Sequence, residues 1–130
     1  MSIYTYVDPR EHQDIRARQG EDVWVLLNHI RAEKCEAFEH FLHDILMPAL
    51  AHIHPETYNK TRVLYPMMPN ADGTRTYIFL MDPVVADGIY NISGILHQFY
   101  KPELADHYMK IWDEALASPQ VEYDMVQSAW

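Results

Sequence analysis

Residues 23–30 read VWVLLNHI and residues 75–82 read RTYIFLMD. Both runs are rich in β-branched and aromatic residues, and both have the length of strands. Neither alternates cleanly. Val23, Val25 and Leu27 point one way and Trp24, Leu26 and Ile30 the other, while Tyr77, Phe79 and Met81 oppose Ile78 and Leu80. A strand that is apolar on both sides belongs inside a sheet whose two faces are both covered. These stretches therefore predict two central strands, and they raise the question of what covers the second face.

Between the two runs, residues 31–53 have a helical period. Cys35, Phe38, Phe41, Leu42, Ile45, Leu46, Ala49 and Ile53 gather on one side, and Glu36, His40 and His43 on the other. Pro48 lies inside this pattern and predicts a kink or restart near Met47. His54-Pro55 ends it. A strand over residues 62–68 follows, joined to the 75–82 strand by a turn at Asp72-Gly73, where glycine reaches positive φ without steric cost. Asn91 or Ser93 is placed to cap a helix over residues 92–100, and Pro102 suits the first turn of a second piece. That piece shows a shared face of Leu104, Tyr108, Ile111, Trp112 and Ala115. Residues 121–128 alternate, with Val121, Tyr123 and Met125 against Glu122 and Asp124, as a strand with one wet face should.

The resulting order, βαββαβ, is the ferredoxin-like pattern, an α+β fold with an antiparallel sheet and both helices on one face. The domain is expected over residues 22–130, preceded by a polar arm over residues 1–21. Its length of 130 residues fits one domain with a core large enough to need no staples. An apolar second sheet face larger than monomers usually expose predicts a homodimer through that face. A charge at an outward position such as Phe79 is then expected to disperse the dimer. The net charge of −9 argues against nucleic acid and anionic lipid as partners. With one cysteine, Cys35, no internal disulfide can form, and no run reaches the length of a membrane span, so a cytoplasmic protein is expected.

By order and lengths of elements, residues 22–130 resemble the dimeric α/β-barrel superfamily. That superfamily includes antibiotic-biosynthesis monooxygenases, haem-degrading monooxygenases, muconolactone isomerases and stress-responsive barrel proteins. The resemblance implies a ligand held between sheet and helices or within the barrel, and oxygenation or isomerisation without a bound organic cofactor. Asn28 looks like the asparagine that the monooxygenases place on their first strand. His97 is the nearest match to a histidine of the haem-degrading branch. The tryptophan that precedes that histidine has no counterpart between Tyr90 and Leu96, so turnover of haem is not expected.

The residues themselves offer the following chemistry. Asn28 and His29 are polar side chains in an apolar strand, and as neighbours they face opposite ways. One of them can orient a ligand or act as a base, and His29, His97 and His107 are candidates because histidine is the side chain suited to acid–base work at neutral pH. Tyr65 and Tyr77, from adjacent strands, are candidate orienting hydroxyls. With Trp24, Phe79, Tyr108 and Trp112 they are candidates to line an aromatic pocket for a small apolar or aromatic molecule. Eight histidines invite a metal reading, but the Glu36/His40 and Glu39/His43 pairs lack further ligands in sequence, and no metal is expected. A ligand-binding or stress-associated dimer without catalysis is the alternative reading. The two are separated by whether a histidine and a second polar group converge on one cavity.

Overall fold

The computed structural model describes residues 16–130; of the expected arm, residues 1–15 lie outside the described part. Strand β1 (Asp22–Ile30) leads through one 3-10 turn into α1 (Cys35–His40), a π-helical stretch (Phe41–Leu46) and α2 (Met47–Ile53). Helix α3 (Pro55–Asn59), β2 (Thr61–Leu64), β3 (Arg75–Met81), α4 (Ile92–Phe99), α5 (Pro102–Ala115) and β4 (Val121–Val126) follow. The four strands form one sheet in the order β2-β3-β1-β4, antiparallel at every step. The protein is thus an α+β domain, and its central strands are the two whose sequences are apolar on both sides.

Local chemistry explains where elements begin and end. The chain passes Pro48 without breaking, because the preceding turn widens: the Met47 amide reaches back to the Leu42 carbonyl, five residues away. At His54 the helix does stop, and a new turn starts at once. The imidazole Nδ1 of His54 accepts from the Thr57 amide at 3.2 Å, and Pro55 takes the first helical position. Strand β2 is shorter than expected and stops at Leu64, since Pro66 has no amide to donate to β3. The Asp72-Gly73 turn forms, with Gly73 at φ +88° and the Thr74 amide bound to the Asp72 carboxylate at 3.0 Å. Asn91 caps α4 by accepting from the Gly94 amide at 2.7 Å. In α5 the buried stripe runs through Ala105, Trp112 and Ala115, while Leu104 is 41% exposed.

The helices pack on one face of the sheet. Leu26, Ile30, Tyr77, Phe79 and Met81 point to that face and join Phe38, Phe41, Leu42, Leu96 and Trp112 in the core. Trp112 is stacked among Phe38, Phe41 and Phe79, with ring centroids 5.6, 6.0 and 6.1 Å away. Phe79 is therefore not an outward residue as expected: it is 4% exposed and sits under the helices. Period-2 geometry puts its neighbours Ile78 and Leu80 on the far face instead. There they stand with Val23, Val25 and Leu27 of β1, Leu64 of β2, and Val121, Tyr123 and Met125 of β4, with Arg62 of β2 opposite Leu80 as the charged residue at that edge, by the cross-strand register. Arg62, Leu64, Tyr123 and Met125 are exposed and the others half-buried.

Candidate functional site

The register of β4 settles which side its acidic residues occupy. Glu122 pairs with Leu26 and Asp124 with Trp24, so both carboxylates stand on the helix side of the sheet. The wet face of this edge strand is thus the inner one, because no helix extends over it. Beside it a crevice of about 180 Å³ opens between the sheet, the segment after β3 and the start of α4. Leu26, Phe79, Met81 and Ile92 form its apolar floor, Trp24 and Tyr90 its wall, and Gln120, Glu122 and Asp124 its rim. A separate void of about 20 Å³, which shares Phe79, Met81, Tyr90 and Ile92 with the crevice, lies toward Leu46, Leu50 and Ile95 and has room for about one water-sized group.

Each wall is held by a specific contact. The Trp24 and Tyr90 rings meet with centroids 5.0 Å apart. The Tyr90 hydroxyl accepts from the Val85 amide at 2.7 Å, and burial pushes its pKa above the usual phenol value. Gly88 makes room for this ring: a Cβ there would come within 2.6 Å of it. On the other side, Asn28 is fully buried between β3 and the start of β4. Its amide nitrogen donates to the Tyr77 carbonyl at 3.2 Å, and its carbonyl accepts from Gln120 Nε2 at 2.7 Å. Asn28 therefore holds Gln120, which lies at the rim, rather than meeting a ligand itself.

Of the residues singled out by sequence, Trp24 and Phe79 line the crevice and Asn28 supports it. His29 is on the far face, where its Nδ1 is 2.8 Å from Thr76 Oγ1. His97 bridges two helices on the surface: Nδ1 faces the Ser93 carbonyl at 2.8 Å and Nε2 the Asp106 carboxylate at 2.9 Å. Both contacts raise its pKa, the Ser93 carbonyl first and then the Asp106 carboxylate. His107 is exposed at the edge of α5, 5.9 Å from the Tyr108 ring, and Tyr108 packs on Tyr100 rather than toward the crevice. Trp112 is a core residue.

Tyr65 and Tyr77 form a separate cluster, their rings edge-on at 5.3 Å. The Tyr77 hydroxyl donates to Glu39 at 2.5 Å, and burial, followed by the Glu39 and Cys35 contacts, holds its pKa far above the usual value. Burial and the Glu39 charge raise Tyr65 as well. Tyr65 borders a broad, shallow groove of about 500 Å³ with Leu42, Met47, Pro48 and Val63, and with His43 and Arg62 among its polar members. His40 and His43 both lie 2.7 Å from Asp44 on the outer side of the helix, and no three potential metal ligands converge among the described residues.

Sequence reading missed Tyr90, Met81, Ile92, Gln120, Glu122 and Asp124. For the two carboxylates the signal was present as the period of β4, but it was read as the solvent side of a strand. Tyr90 carried no signal, since it comes from an irregular segment that only the fold brings over the sheet, and Ile92 read only as the first residue of a helix. Neither a family model, nor a curated protein, nor a solved structure matches this chain.

Proposed function

We propose that the domain binds one small, largely apolar molecule in the crevice between sheet and helices, and that it does so as a ferredoxin-like homodimer joined through the far faces of its sheets. The observation that carries the first part is the crevice itself: an apolar floor and an aromatic wall meet a few polar groups at one rim, which is the usual make-up of a ligand site. The apolar far face, which runs from Met125 and Tyr123 on β4 through Val25, Leu27, Ile78 and Leu80 on β1 and β3, supports the second. Pairing through it leaves the crevice open, because the crevice is on the opposite side of the sheet.

The geometry favours binding over histidine-based acid–base catalysis. Among the described residues, no histidine lines the crevice, and His97 and His107 sit on the helix surface. The oxygenase or isomerase activity implied by the family resemblance would have to draw on Tyr90, Glu122 or Asp124 instead.

A neutral single-ring probe, 2-phenylethanol, tests the reading by NMR titration of isotope-labelled protein. Saturable shifts are expected at the Trp24 indole and the Met81 and Ile92 methyls, with Leu64 and Met68 unaffected. Shifts centred on the groove beside Tyr65, or no saturation anywhere, would remove the crevice as the site.

A further inference from the structure

The crevice has one chemical bias in its polar rim. Glu122 and Asp124 offer only acceptors when ionised. No cationic side chain among the described residues pairs with either of them; Lys34, Lys60 and Arg62 pair with Glu114, Glu56 and Asp82 instead. Gln120 beside them is anchored by one N–H to the buried Asn28 at 2.7 Å. Two carboxylates thus stand at the mouth of a cavity next to an anchored amide, on a strand whose register fixes their side of the sheet.

The aromatic wall beside the rim adds an independent preference, since Trp24 is the register partner of Asp124. Trp24, from β1, and Tyr90, from the segment before α4, meet at 5.0 Å with their planes tilted by 59°. Aromatic faces attract cations through the ring quadrupole, most strongly for tryptophan, and the attraction grows when the cation is partly removed from water. Gly88 and the Val85 amide hold the Tyr90 ring in this position. Aromatic rings next to two carboxylates describe a site for a positively charged donor, and they disfavour an anion, which would face both carboxylates at once.

Size limits the rest of the ligand. The crevice holds about 180 Å³, against the roughly 150 Å³ of an apolar protein cavity that admits benzene. We infer that the crevice recognises an organic ammonium ion whose body is no larger than one aromatic ring or a short alkyl chain, with the ammonium at the Glu122/Asp124/Gln120 rim beside Trp24 and Tyr90. This rests on the crevice being the ligand site. A primary amine of this kind is protonated at pH 7, as a lysine side chain is.

The test compares 2-phenylethylammonium with the near-isosteric neutral 2-phenylethanol, both titrated at pH 7 and low salt against the full chain, with the Trp24 indole as the reporter. The ammonium is expected to bind at least tenfold more tightly than the alcohol. In a Glu122→Gln/Asp124→Asn variant that advantage, read as the ratio of the two affinities, should fall below threefold. Both positions are exposed, so the variant should fold. Equal affinities for the two probes in the native protein would overturn the charge preference and leave the crevice as a neutral site. An advantage that survives in the double variant would overturn the role of the two carboxylates. If neither probe moves the Trp24 signal, the crevice reading and this one fall together.

Discussion

Asn28 uses both ends of its amide, and the consequences of removing it follow from that. Fully buried, it gives its nitrogen to the Tyr77 carbonyl and its carbonyl to Gln120. Asn28→Ala deprives the Gln120 amide of its acceptor and opens a small void. A cost of about 1–3 kcal/mol is expected, as for other buried groups left unpaired. His29 is only half-buried, and its partner Thr76 also receives a bond from Asn70 at 2.8 Å. His29→Ala should therefore cost less than about 1 kcal/mol. Urea unfolding of the two variants checks this, and equal losses would contradict the burial account. From sequence alone the two neighbours were known to face opposite ways, because strand geometry demands it. Which of them lay under the helices depended on the register with β3, and no single residue carries that.

At the scale of elements, the two C-terminal helices are joined by a charge contact that sequence reading assigned to chemistry. Both nitrogens of His97 face acceptors, the Ser93 carbonyl on its own helix and Asp106 on the next. The protonated ring is the form that satisfies both, so its folded pKa stands above the ordinary value of 6.5. The sign of the linkage follows. A raised folded pKa contributes stability fully below about pH 6.5, and that contribution is lost as pH rises through the folded value. Because the pair is exposed, the effect on stability is small. An NMR titration of the His97 ring should give a midpoint above 6.5, and Asp106→Asn should lower it. A midpoint at or below 6.5 in the native protein would mean that the α4–α5 contact is not made in solution. The histidine on a polar helix face was legible in the sequence. Its partner was not, since Asp106 lies nine residues away across the break at Pro102.

For the whole molecule, the far face of the sheet is the feature with the largest consequence. Leu80 and Ile78 lie on it, in register with Val25 and Leu27. If two copies pair there, Ile78→Glu, whose register partners are Leu27 and Leu64, buries an unpaired charge in the interface and should convert dimer to monomer. Its helix-side neighbours are untouched, so the fold itself should survive. Sedimentation at micromolar concentration with a far-UV spectrum of the variant reads both. A native protein that already sediments as a monomer would end the dimer proposal. Phe79→Glu is the wrong probe, because it places the charge in the core. The sequence by itself determined the α+β class, the antiparallel sheet and the identity of the central strands. These follow from hydrophobic period and turn chemistry, which are local properties of the chain. Only the tertiary structure decided that Phe79 faces inward, that the acidic residues of β4 line a cavity, and that Tyr90 closes it. Those facts depend on cross-strand register and on where an irregular segment comes to rest, and both are set by packing between residues far apart in the chain.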